Sequence, residues 1–398
     1  MKKFTMLLSI VLVLMLTLSL AACGAEKAVE DKPAAKPEST EGFKEIEVSD
    51  ESGYPKAADL PKHKIGVLYW GYTDLLGSQI KKNLDYLGKE FNCEMVYADG
   101  GMAIEGYVTA TENLIQNGAE GIISIFALPG MIEACEKAGV YLVQGLNETS
   151  DEDTLTLMKN SKYFVGMFTE NDYECGYTMV EDLYNKGCRN ITYMSPTPGM
   201  AANHDNRVRG IEDALKDYPD MQLLSNYRGE AQVEALQNFA AVYPEMDGLI
   251  VTGGTQGGTE SIYQTIQSEG LSGKVKFATI DIGEGTAERL ESGDLAWIAG
   301  GQYPTTGIAF SALYNALVGT PVIEDCTKTV YRPFMSIQSP EEFEQYIKYV
   351  DGDIPPYTGD EVKALIKKFN PDASLDLYEQ YGKAYGIQDV VERHKDLF

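Results

Sequence analysis

Trp70, Tyr72 and Asp74 stand at and just beyond the end of an apolar run over residues 65–70. Aromatic faces suit the C–H surface of a sugar or the plane of a base, and an ionised carboxylate accepts hydroxyl or amine donors. Trp70 fits ordinary strand-end packing equally well, and Asp74, placed directly before a helical run, fits an N-cap; capping and ligand contact are compatible. Asp281 ends a second apolar run, 275–280. A carboxylate there requires donors, from a ligand or from the backbone N–H groups of Gly283 and Gly285. Arg207 carries five fixed donors that read paired hydroxyls or a carboxylate. The cluster Gly253-Gly254-Thr255-Gln256-Gly257-Gly258 lacks the Lys-[Ser/Thr] of a phosphate loop, so nucleotide hydrolysis is not expected. The histidines are His63, His204 and His394, with no H-E-x-x-H and no G-x-S-x-G elbow, so no nucleophile stands beside an evident base. The chain reads as a binder without enzyme activity, cofactor or metal.

These residues need a scaffold, and the spacing of apolar residues supplies one. Residues 65–70, 94–98, 121–126, 141–146 and 163–168 read as strands, mostly apolar along their length as parallel strands covered on both faces should be. Helical patterns separate them at 78–91, 105–117 and 130–138, with Gly118 and Gly139 as stops. The rhythm restarts with strands at 190–195, 222–226, 248–252, 275–281 and 295–300 and helices at 202–216, 231–242 and 259–269. The fold class is therefore α/β, with two doubly wound parallel sheets. Open sheets of this kind bind ligands beyond the carboxyl ends of their strands, which points to a cleft between two lobes. The polar, Tyr-rich end of the chain, with a helical stretch at 361–369, is expected to pack on the outside of one lobe.

With 398 residues, 44% of them hydrophobic, the chain can bury two cores. Its net charge of −27 repels nucleic acid and anionic headgroups. Met1-Lys2-Lys3 and the apolar run over 6–20 form a secretory leader, too short for a comfortable membrane span. The run closes at Leu20-Ala21-Ala22-Cys23-Gly24, which resembles the lipobox of bacterial lipoproteins. The resemblance implies cleavage before Cys23 and acylation of its thiol, a tether worth roughly 0.8 kcal/mol per buried methylene. The stretch 24–60 is rich in Ala, Glu, Lys, Pro and Ser and reads as a flexible stalk. Cys93, Cys135, Cys175, Cys188 and Cys326 are odd in number and lack C-x-x-C spacing, so they read as small buried hydrophobes.

An ordered set of short motifs runs through the body of the chain. Gly118-Ala119-Glu120-Gly121-Ile122-Ile123 enters a strand; Tyr163-Phe164-Val165-Gly166 precedes Gly176; Arg207-Val208-Arg209-Gly210-Ile211 opens a helix; Thr279-Ile280-Asp281 ends a strand; and Gln302-Tyr303-Pro304 follows Glu291-Ser292-Gly293-Asp294-Leu295. Together, over roughly residues 64–334, they resemble the periplasmic binding protein superfamily of the ribose- and galactose-binding type. The resemblance implies a hinge of three crossings, near Thr169, Gln302 and Thr329. It divides the chain into a leader (1–22), a linker (23–61), a first lobe (62–168 plus 303–329), a second lobe (169–302 plus 330–340) and a helical extension (341–398).

It also implies that Arg207, Asp281 and Gln302 contact a ligand, whereas Arg209 lies on the surface. Asn203, beside His204, reads as an N-cap. The family's aspartate after the fourth strand falls here on Leu146 and Asn147, and its asparagine after the eighth strand falls on Gly253 and Gly254. The lost polar readers leave a roomier pocket, so a nucleoside, a glycoside or a furanone stands beside a plain sugar as the solute. The implied role is a lipid-anchored receptor on the extracytoplasmic face of the cell membrane, delivering a small sugar-like solute to an ABC permease. The alternative is a sensor subunit that presents the solute to a membrane histidine kinase. Nucleic acid is not a partner.

Overall fold

The computed structural model describes residues 42–43, 53–101, 103–254, 258–283 and 285–397. The leader, Cys23 and most of the linker lie outside the described residues. The linker's last residues are not a free stalk: Leu60 is buried in the core, Asn92 donates to its carbonyl at 2.8 Å, and Phe43 packs edge-on to Tyr86. Among the described residues no helix is long and apolar enough to cross a membrane.

Strands β1 (His63–Tyr69), β2 (Cys93–Asp99), β3 (Gly121–Ser124), β4 (Tyr141–Gly145), β5 (Phe164–Glu170) and β11 (Thr329–Arg332) form one parallel sheet. Its order is β11-β5-β4-β3-β1-β2. The second sheet contains β6 (Asn190–Ser195), β7 (Gln222–Arg228), β8 (Gly248–Val251), β9 (Lys276–Ile280), β10 (Leu295–Gly300) and β12 (Met335–Ile337). Its order, β12-β10-β9-β8-β6-β7, repeats the first, except that β12 runs antiparallel to β10. β5 and β10 are buried along their whole length; β10 is apolar throughout, and β5 is apolar up to its last two residues, Thr169 and Glu170. Each sheet reverses its order beside its first strand, β1 in one lobe and β6 in the other, and such switch points open the crevices where α/β sheets take ligands.

The helices between strands are α1 (Leu75–Glu90), α2 (Glu105–Gln116), α3 (Pro129–Ala138) and α4 (Glu152–Asn160) in the first lobe. The second lobe carries α5 (Asp172–Asn185), α6 (Ala202–Asp217), α7 (Gln232–Val242), α8 (Gly258–Ser268) and α9 (Thr286–Ser292). After β10 the chain returns to the first lobe as α10 (Thr305–Leu317), which is buried on every side except at its last residue. A helix so apolar must be covered on both faces. The first sheet covers one, and α1 together with the end segment covers the other; that segment carries the C-terminal helices α11 (Pro340–Tyr349), α12 (Gly359–Lys363), α13 (Leu375–Ala384) and α14 (Ile387–Arg393).

Two expectations shift. The chain leaves the first sheet after Glu170 and again after Arg332, so residues 169–170 and 330–332 belong to the first lobe. The sheet ends there because Asn171 and Pro333 follow, the first capping α5 through its side chain. The end segment does not sit on one lobe. Its contacts reach α1, α10 and β11 of the first lobe and α9 and β12 of the second. The helical pattern over 361–369 resolves into the short α12 and a following turn.

Candidate functional site

The glycines of the Arg207-x-x-Gly210 motif and of α5 explain why Arg207 is where it is. A Cβ on Gly176 would collide with the Arg207 carbonyl, and one on Gly210 with the Tyr173 carbonyl, so α5 and α6 touch backbone to backbone. That approach sets Arg207 beside Asp172 in the first turn of α5. Its Nε donates to Asp172 Oδ1 at 2.7 Å and its Nη1 to the Thr252 carbonyl at 2.7 Å, while the Phe334 ring lies 5.4 Å beneath the guanidinium. Both charged partners are buried. Burial pushes the Asp172 carboxyl upward and the Arg207 charge opposes it, so the pair holds only while both members are present.

Asp281 follows β9 with φ of +73°, a left-handed conformation that costs a non-glycine residue roughly 1–2 kcal/mol. Strain of this kind is kept where a side chain must be aimed. Gln302 Nε2 donates to Asp281 Oδ1 at 3.1 Å. Gly283 does not supply the alternative donor, since its N–H goes to Thr286 Oγ1 at 3.3 Å. Solvent reaches the Asp281 residue although protein surrounds its carboxylate, as for a group lining a crevice. Loss of solvation pushes its carboxyl upward, Arg207 and Gln302 oppose the shift, and the charge of Asp74 adds to it. Asp74, from the first lobe, therefore lies within electrostatic reach of Asp281 in the second.

Gly253 marks the centre of this group. A Cβ built there would lie 3.4 Å from Arg207 Nη1, 3.4 Å from Asp281 Oδ2 and 3.8 Å from His204 Cε1, and its φ of +88° suits glycine. The polar reader missing at this position is thus replaced by bare backbone between the two charges. His204 is buried and set against the Thr252 carbonyl at 3.2 Å; burial and the neighbouring Arg207 charge pull its pKa down to about 3, so the imidazole is neutral.

The first-lobe residues are spent differently. Trp70 is half-buried and stands edge-on to Phe126 at 5.1 Å and to Tyr107 at 6.2 Å. The Tyr72 hydroxyl donates to the Val67 and Ala98 carbonyls at 2.9 and 3.3 Å, so it closes the loop on β1 and β2. Asp74 caps α1 by accepting from Gly77 N at 2.6 Å, the first of its two expected roles, and stays exposed. Asn147 is buried and accepts from the Glu148 N–H at 2.9 Å. Arg209 is exposed, as expected, whereas Asn203 lies inside α6, whose N-cap is Ala201.

Glu148 was not anticipated. It follows β4 and accepts from Thr329 Oγ1 at 2.9 Å, from the Tyr331 hydroxyl at 2.5 Å and from Asn206 Nδ2 on α6, joining the two lobes directly. Asp172 was likewise missed: its only signal is its place one residue after a cap asparagine. Residues 255–257 of the glycine cluster lie outside the described residues, and Gly258 opens α8. The five cysteines are free; Cys135, Cys175 and Cys188 are buried, and burial raises the Cys135 thiol to about 12.

The model of a periplasmic binding protein domain matches residues 65–321. None of the curated proteins matches the chain by sequence. Among solved structures, a periplasmic sugar-binding protein from Pseudomonas fluorescens is similar at a TM-score of 0.66 and 16% identity, over 82% of this chain and 99% of that one. An ABC transporter periplasmic solute-binding protein from Actinobacillus succinogenes with bound D-allose aligns at 0.60 and 19%, over 71% and 100%. A fructose-binding periplasmic domain of a hybrid two-component system aligns at 0.58 and 16%, over 69% and 90%. At such identities the likeness concerns the fold.

Proposed function

The chain belongs to the periplasmic binding protein family, and from that membership we propose that it is a receptor closing on a small sugar-like solute between its lobes. The observation that carries the reading is Asp281, held in a left-handed conformation beside Arg207 and Gln302 with Asp74 opposite. Arg207 is the cation of this group and is already paired with Asp172. The remaining carboxylates accept hydroxyl donors and repel anions, so the solute is an uncharged polyol and not a sugar acid or phosphate. Trp70, with Phe126 and Tyr107 around it, offers apolar surface for sugar C–H groups. Binding without turnover is supported by the solute-binding character of the structural neighbours.

Cys23 supports tethering at the extracytoplasmic face of the membrane, and with it delivery of the solute to an ABC permease. A second reading, presentation of the solute to a histidine kinase, is favoured by the neighbour from a two-component system. Capture of the membrane partner separates them, a permease with its ATPase in one case and a kinase in the other. The solute class is tested by thermal unfolding with D-allose, L-arabinose, D-fructose, adenosine and D-galacturonate. A true ligand at one hundred times its Kd stabilises by about 2.7 kcal/mol. Stabilisation by D-galacturonate alone refutes the uncharged class.

A further inference from the structure

The end segment is built into the hinge. Tyr385 donates its hydroxyl to the Gly301 carbonyl at 2.8 Å, and Tyr303 donates to the Val350 carbonyl. A Cβ on Gly300 would lie 3.3 Å from the Tyr346 hydroxyl, and one on Gly301 3.1 Å from that of Tyr385. The crossing that carries Gln302 is therefore lined by Tyr346 of α11 and by Tyr385, which follows α13, with no room to spare. The crossing after β11 is gripped as well: the Arg332 guanidinium lies 3.8 Å over the Tyr385 ring and donates to the Tyr357 hydroxyl at 3.2 Å. Arg332 also donates to Thr305 Oγ1 at 2.8 Å, and Thr305 donates to Glu170 at the end of β5. All three crossings thus connect to one segment.

The same segment holds α1. Gln79 Nε2 donates to Asp351 Oδ1 at 2.7 Å, Lys82 Nζ to the Gly352 carbonyl at 3.0 Å, and the Gly359 N–H to the Tyr86 hydroxyl at 2.7 Å. Lys363, itself buried, pairs with Glu90 at 3.3 Å. Residues 79, 82, 86 and 90 form one stripe of α1 at steps of three and four. α1 is the helix that Asp74 caps.

We propose that residues 340–393 are a strut across the hinge that links the helix bearing Asp74 to the crossing bearing Gln302 and so sets how far the lobes part. Gln79, Asp351 and Tyr385 are positioning residues: they touch no solute and act through Asp74 and Gln302. A two-lobed receptor hinged by three bare crossings opens about them freely; here each opening must also shear the contacts between the strut and α1.

The test needs no solute, so it fails separately from the receptor reading. In the full chain, amide exchange over 300–304 and the radius of gyration from X-ray scattering are measured for the parent, Gln79→Glu, Tyr385→Phe and the double variant Gln79→Glu/Asp351→Asn. Gln79→Glu sets two carboxylates together and is expected to raise exchange at the crossing about tenfold and to enlarge the particle, while amides of β6 and β8 keep their rates. The double variant restores the bond with donor and acceptor exchanged and returns both readouts to parent values. Tyr385→Phe keeps its ring on Arg332 and loosens the crossing alone. Parent-like exchange and size in both single variants overturns the proposal, and so does a loosened Gln79→Glu that the second substitution does not restore.

Discussion

The two walls of the cleft are made on opposite principles. On the second lobe, Arg207 is bonded to the buried Asp172 and Gln302 to the strained Asp281, contacts that no neighbouring secondary structure requires. On the first lobe, Tyr72, Asp74 and Asn147 bond to their own backbone surroundings, and the half-buried Trp70 stands in an aromatic cluster. One wall holds a buried ion pair and a strained carboxylate, the other an aromatic cluster beside the exposed Asp74 carboxylate. On the proposed reading a solute is oriented by the second lobe, and the first closes over it.

Removing the centre of the charged wall is the strongest way to break this contrast. Arg207→Met strands the buried Asp172 carboxylate and is expected to cost roughly 3–5 kcal/mol in urea unfolding. An effect below about 1 kcal/mol would place the pair in solvent.

The seam between the walls should titrate. Glu170 ends β5, and burial pushes its carboxyl up to about 7 although Arg332 opposes the shift. An unfolded glutamate titrates near about 4.3. The folded state thus retains a proton that the unfolded chain has lost, and this contribution is complete below about pH 4 and disappears as pH rises to about 7. Relative to Glu170→Gln, the parent should lose about 3 kcal/mol between pH 4 and 8, read as the difference in unfolding midpoints. Parallel pH profiles for the two proteins would show that Glu170 is ionised throughout.

The smallest effect belongs to the first-lobe wall. Tyr72→Phe removes a hydroxyl bonded to two carbonyls and is expected to cost about 1 kcal/mol of stability with solute affinity within about twofold of the parent. A tenfold affinity loss without destabilisation would move the Tyr72 hydroxyl into the site.

The fold was legible because its strands are covered on both faces: β6 and β10 begin and end where the sequence pattern places them, β10 as an unbroken apolar run. β11 and β12 were not, since the sequences TVYR and MSI alternate and are too short to stand out against a loop. Arg207 was legible through its glycine spacing. Its partner Asp172 and the bridging Glu148 were not, because each depends on an approach between elements that no local pattern encodes. The end segment was misplaced for the same reason: its helices are amphipathic, and a helical stripe does not say which of two lobes, or both, it covers.

The claim that the cleft clamps an uncharged, donor-rich solute through Asp281 meets its most direct test in calorimetric titration of D-allose, L-arabinose, D-galactose and D-galacturonate into the parent and Asp281→Gly. Glycine relieves the backbone at φ of +73°, so the variant should be at least as stable as the parent. At least one neutral sugar should bind the parent and bind the variant about a hundredfold more weakly, the scale of a lost charged hydrogen bond, while D-galacturonate binds neither. Equal affinity of that sugar for both proteins, or tighter binding of the acid, contradicts the account.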